Sequence, residues 1–158
     1  MMTMRLPKLS VALSLFALLM TAAPAPAQLG IHFTSEDGVI TFHDVGPNPD
    51  GTLHVPFDAS GTETAAGLGV YGGDGSYDAD LSGSGTISNG TATLVFSPDD
   101  TLTIAFEGRI DPPPFGFMCT WTVTDATGAL AGADGGGTVM GTLFPDFSGE
   151  TFMLDGDI

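Results

Sequence analysis

Cationic residues are nearly absent from this sequence: three lysines and arginines stand against nineteen aspartates and glutamates, a formal net charge of −16. Two of the three, Arg5 and Lys8, lie close to the N-terminus, so Arg109 is the only one in the rest of the chain. A field of this sign repels phosphate backbones and anionic headgroups, which excludes nucleic acid and acidic membrane surfaces as partners. Three readings of the acidity stay open: a saline habitat, calcium binding, or a solvated surface that lacks lysine. Cysteine is equally scarce. A single residue, Cys119, rules out an intrachain disulfide, so stability has to come from a buried core. Cys119 falls in Phe117-Met118-Cys119-Thr120-Trp121-Thr122-Val123, where alternation places it on one face with Phe117, Trp121 and Val123. That is the setting of a small buried filler rather than a reactive thiol.

Long apolar runs are also missing, with one short exception. Leu9 to Met20 is almost wholly apolar, follows Arg5 and Lys8, and precedes Thr21-Ala22-Ala23-Pro24-Ala25-Pro26-Ala27. A positive start, an apolar middle and a small-residue Ala25-Pro26-Ala27 end have the anatomy of a secretory signal cleaved before Gln28. The run is about a dozen residues, short of the roughly 20 that span a bilayer, so no membrane span is expected after cleavage. The expectation is a signal peptide at 1–27, a single acidic domain at 28–158, and a periplasmic or extracellular location.

Helical periodicity is absent from the rest of the chain. No window carries apolar residues at i, i+3, i+4 and i+7 with helix formers between them. Short β-rich runs divided by Gly, Asp, Asn, Pro and Ser take its place. They are 29–34, 38–44, 52–57, 67–72, 76–82, 86–88, 91–97, 101–110, 116–124, 137–144 and 150–158. In 101–110, Leu102, Ile104, Phe106 and Ile110 oppose Thr101, Thr103, Glu107 and Arg109; in 151–158, Phe152, Leu154 and Ile158 oppose Asp155 and Asp157. A sheet with one buried face has this period of two. Asn48-Pro49-Asp50-Gly51 and Ser97-Pro98-Asp99-Asp100 read as turns, and Asn89-Gly90 reads as a hairpin joining 86–88 to 91–97. Short strands, tight turns and no crossover helices predict an all-β fold, a single antiparallel barrel or sandwich.

The segment from Thr120 to Thr138, with Thr127-Gly128-Ala129-Leu130 and Asp134-Gly135-Gly136-Gly137-Thr138 at its centre, resembles a motif of small exported bacterial proteins. There a strand leads into G-T-G-x-F-x-G-A-x-G-x-G-T and then into another strand. Gly67-Leu68-Gly69-Val70-Tyr71, Pro98-Asp99-Asp100-Thr101-Leu102 and Leu154-Asp155-Gly156-Asp157-Ile158 fit the same layout. The glycine-rich element is similar to one in the allene oxide cyclase and dirigent barrels. The resemblance covers roughly residues 60–158 and implies an antiparallel barrel of about eight strands whose lumen can hold an apolar molecule. The chain departs from the motif at Leu130, where an aromatic is usual, and at Ala126, where a glycine is usual. The family's catalytic groups have no counterparts that can be placed here, and a fold alone does not set an activity.

Candidate chemistry is sparse. Glu107 and Arg109 share one strand face; a surface ion pair and an anion-holding group at the barrel mouth are both open. Phe106, Phe115, Phe117 and Trp121 either fill the barrel or line a pocket. Asp74, Asp78 and Asp80 lie in a stretch like half of a calcium loop, with Gly85 where the bidentate glutamate belongs. His32, His43 and His54 lack the spacing of a zinc site. Asp134-Gly135-Gly136-Gly137 has no lysine and no following helix to bind phosphate, and there is no Gly-x-Ser-x-Gly nucleophile motif.

The sequence therefore reads as an exported, non-enzymatic binding or structural module with a small apolar molecule as candidate ligand. Phe106, Glu107, Arg109, Phe117 and Trp121 are its candidate contacts. A cyclase- or isomerase-like enzyme and a calcium-stabilised surface or matrix protein are the alternatives. Calcium, through Asp74, Asp78 and Asp80, is the only cofactor entertained.

Overall fold

A computed structural model describes residues 30–82, 85–112 and 115–158. The expected signal at 1–27, and Pro113 and Pro114, lie outside these residues. Nine strands follow in order: β1 (His32–Phe42), β2 (Gly46–Pro47), β3 (Leu53–Glu63), β4 (Gly69–Asp80), β5 (Thr86–Val95), β6 (Thr101–Ile110), β7 (Gly116–Ala126), β8 (Gly136–Leu143) and β9 (Gly149–Asp157). Consecutive strands from β3 to β9 pair antiparallel, and β1 pairs with both β9 and β3, which closes eight long strands into a barrel. The two-residue β2 adds only to β3. The expected antiparallel barrel of about eight strands is borne out.

Alternation drives the closure. Leu102 and Ile104 on β6, Phe117, Cys119 and Trp121 on β7, and Phe152 and Leu154 on β9 turn inward and are buried, while Glu107, Thr120, Thr122, Asp155 and Asp157 turn outward. Apolar residues inside and polar residues outside are the reverse of a lipid-facing barrel. Among the described residues no helix is long and apolar enough to cross a membrane, and the only helical element is a single turn, Gly128–Leu130. That turn lies in the glycine-rich segment joining β7 to β8. Leu130, at the motif's aromatic position, is buried at one end of the barrel with Phe33, Leu102, Trp121 and Ile158.

Three expected strand breaks are corrected: 35–37, 73–75 and 89–90 lie inside β1, β4 and β5. Asn89-Gly90 is not a hairpin but a bulge, and the register shifts around it against both β4 and β6. Asn89 has φ +52°, the left-handed conformation that a bulge uses as readily as a tight turn. Gly90 is required because a Cβ there would sit 2.5 Å from the Phe106 ring. Gly75 plays the same part under Phe57, whose ring would lie 2.5 Å from an added Cβ, so β4 runs straight through a sequence that looks like a loop. The turns at Asn48–Gly51 and Ser97–Asp100 hold, each with the backbone N–H of the fourth residue donating to the carbonyl of the first.

Candidate functional site

The two ends of the barrel differ. One is sealed by aromatic packing: Phe33 meets Phe96 and Trp121 at centroid distances of 6.0 and 6.2 Å, and Tyr71 meets Phe96 at 5.5 Å. Tyr71 and Ser35, both buried, share a 2.9 Å hydroxyl–hydroxyl hydrogen bond there. The other end opens into a cleft of about 740 Å³ where β1, β4, β6 and β8 finish and β3 begins. Phe42, Leu53, Leu81, Ile110, Leu143 and Phe147 give it an apolar lining. Val45, Leu81, Phe115 and Phe147 stand exposed around it, and the Phe115 and Phe147 rings lie 5.4 Å apart. Arg109 reaches the same cleft, its Nε 3.1 Å from Asp111 Oδ1.

Below the cleft lies an interior cavity of about 40 Å³, lined by apolar side chains together with Tyr77, Cys119 and Glu150. Its small size follows from strand number, since eight strands enclose a space that inward side chains nearly fill. It has room for roughly two or three waters. Tyr77 borders both spaces. Its ring packs against Phe42, Phe57 and Phe106 at 6.3, 6.0 and 6.1 Å. Leu143, cross-strand partner of Glu150, lines the cleft.

Glu150 is the one carboxyl facing this cavity. It is 3% exposed and takes part in no hydrogen bond like those of Glu63, while no fully buried side-chain oxygen among the described residues is left without a partner. Burial pushes its pKa up to about 8, which favours the neutral acid. Burial also raises the Cys119 thiol, to about 12, with Glu150 adding to the effect, and this is an inert thiol. The Tyr77 phenol is raised for the same two reasons and stays protonated. Glu63, 1% exposed, is a contrast. Its carboxylate accepts from the backbone N–H groups of Ala66 at 2.7 Å, Leu68 at 2.9 Å and Thr34 at 3.4 Å, fixing the β3–β4 turn. One buried glutamate is fully used by the fold; the other is not.

The residues expected from sequence divide between these places. Phe106 and Phe117 line the interior cavity, and Arg109 the cleft. Trp121 lines neither; it is 1% exposed in the sealed end, and its indole N–H points at the carbonyls of Thr138 and Asp155, 3.2 and 3.3 Å away. Glu107 stands on the outer face, and the ion pair of Arg109 is with Asp111 rather than Glu107. Asp74, Asp78 and Asp80 follow one another along straight β4 and do not wrap around a common point. Asp78 is instead a clasp. It accepts from the side-chain amides of Asn48 and Asn89, both at 2.9 Å, and lies 3.0 Å from His54 Nδ1. These contacts hold its pKa below the usual carboxylate value, Asn89 contributing most. Asp80 accepts from Ser82. The three histidines are exposed and separate, each beside an aspartate. Among the described residues no three His, Cys, Asp or Glu side chains gather as a metal site.

Glu150 escaped the sequence reading, although its signal was present. It keeps the phase of Phe152 and Leu154, and that phase turns it inward.

Fold and site together define a closed antiparallel barrel, sealed at one end and open at the other above a buried acid. No family model, curated protein or solved structure matches this chain.

Proposed function

We propose that this chain is a non-enzymatic binding module that takes a small apolar molecule into the cleft at the barrel mouth. One observation carries the reading: an apolar-lined cleft of about 740 Å³, inside the usual size range of ligand sites, lies over the buried Glu150 side chain. Apolar surface supplies the affinity, and protonated Glu150 supplies the directional contact. A neutral acid donates one hydrogen bond, so the group it suits is an acceptor such as a carbonyl or hydroxyl oxygen. The setting proposed is periplasmic or extracellular, resting on the N-terminal signal anatomy; a mature chain starting at Gln28 is the expected result of N-terminal sequencing.

The test is native mass spectrometry of the protein purified without chelator, followed by displacement of Nile red with decan-2-one. The expected result is saturable one-to-one uptake, weakened about tenfold or more by Leu81→Asp with Phe147→Asp and unmoved by Val70→Asp outside the cleft. A bare protein mass together with no saturable uptake overturns the reading. Calcium that survives desalting transfers weight to the calcium-stabilised alternative.

A second reading, a cyclase- or isomerase-like enzyme of the kind the allene oxide cyclase resemblance implies, is favoured by the proton that Glu150 holds inside the lumen. A ligand recovered unchanged supports binding; a rearranged product of equal mass supports turnover.

A further inference from the structure

Seven methionines occur in the sequence; Met1, Met2, Met4 and Met20 fall outside the described residues. The other three occupy a single row on the outside of the barrel. Met118 on β7 pairs with Met140 on β8, and Met140 pairs with Met153 on β9. They are 46, 43 and 48% exposed. Their outward neighbours along the same strands are Gly116, Thr120, Thr138, Thr142, Thr151 and Asp155, none of them a large apolar side chain.

Directly opposed residues hold their Cβ atoms about 5 Å apart, which puts the outer two methionines about 10 Å apart with the third between them. Methionine is unbranched, with three rotatable bonds. Two inward-leaning thioethers and the central one can therefore close on one ion. Thioether sulfur is a soft, neutral donor that suits Cu(I) and serves calcium, magnesium or manganese poorly. Glu36 and Asp111 line the same shallow groove and give it a negative potential. Arg109, cross-strand to Met118, is the one cation nearby, and Asp111 pairs with it.

We propose that Met118, Met140 and Met153 form a three-thioether site for a soft monovalent cation of the Cu(I) class, separate from the cleft at the barrel mouth. The test uses the full chain labelled with ¹³C at the methionine methyls and titrated with silver(I) nitrate, a redox-inert stand-in for Cu(I), in chloride-free buffer. Three methyl signals, assigned by single Met→Leu variants, are expected to shift together and saturate at one equivalent. Met140→Leu should weaken binding at least about tenfold by removing the central donor. The Met118→Leu/Met140→Leu/Met153→Leu variant should lose the site while keeping the β-sheet circular dichroism spectrum, and Cys119→Ala should bind as the parent does. Unmoved signals for these three methionines, undiminished affinity in the triple variant, or loss of binding in Cys119→Ala each overturns the proposal.

Discussion

Tyr77 and Glu150 line the same interior cavity, and the charge Glu150 would carry on ionising is one of the reasons Tyr77 holds its proton. Burial is the larger cause for both groups. The lumen thus favours the uncharged forms of both the acid and the phenol. Glu63 shows what the same side chain does when the backbone supplies donors for it.

Replacing Glu150 with Gln should flatten the pH dependence of stability. The folded protein keeps the Glu150 proton up to about pH 8, whereas an ordinary glutamate releases it near 4.5. Between those values the folded state binds more protons than the unfolded chain. Stability therefore falls as pH rises, by up to about 1.4 kcal/mol per pH unit. Asp37, Asp50, Asp78, Asp100 and Asp146 act oppositely, because hydrogen bonds lower their pKa values and their contribution is lost as pH falls through the acid range. Urea unfolding at pH 5, 6.5 and 8 checks this: the Gln variant should gain on the parent at each step upward, and parallel curves would sink the idea.

Glu63→Ala should be strongly destabilising, by roughly 3 kcal/mol, because it strips the acceptor from the backbone N–H groups of Ala66 and Leu68 in a buried turn. Glu63→Gln, which keeps one acceptor oxygen, should fall between the two. Chemical denaturation of the three proteins ranks them, and equal midpoints would mean that the turn does not depend on this carboxylate.

Trp121→Ala should cost about 3–5 kcal/mol, the range for deleting a large buried aromatic. Affinity for a mouth ligand should be unchanged in the fraction that folds, since Trp121 lines neither cavity. Denaturation midpoints and Nile red uptake separate the two effects; weakened uptake with an intact midpoint would relocate the ligand.

Cys119 should resist thiol reagents in the native protein at pH 8 and react promptly in urea, because its thiol is buried and titrates near pH 12. Labelling with a chromogenic disulfide reagent measures both rates. Fast native labelling would indicate that the lumen opens readily.

Much of the fold was legible in alternation. The 101–110 run coincides with β6, and the inward set of Phe152, Leu154 and Ile158 is buried. Strand breaks were less legible, because Asn-Gly and Asp-Gly supply the same local freedom to a bulge, a glycine seat for an aromatic ring, or a hairpin. Contacts from other strands decide among these: Phe57 and the Thr91 carbonyl at Gly75, and Phe106 at Gly90. The break expected at 73–75, just ahead of the 76–82 run, has the same origin. Glu150 was visible in phase but disguised by type, since glutamate ordinarily faces solvent. The methionine row is set by registers between three strands, which no single segment encodes.

The seam between β1 and β9 sets the order in which the molecule can be assembled. His32 and Asp157 meet there across 125 positions of chain, and Ile31 and Ile158 exchange two backbone hydrogen bonds of 2.9 Å. Each strand from β4 to β9 can add to its predecessor as it arrives, but the ring shuts only when β9 finds β1. Pairings this distant are slow to form. Until then the sheet has two open edges, able to recruit foreign strands. A chain whose last strand is missing, or still held inside a narrow conduit, should remain a curved sheet with its apolar face uncovered.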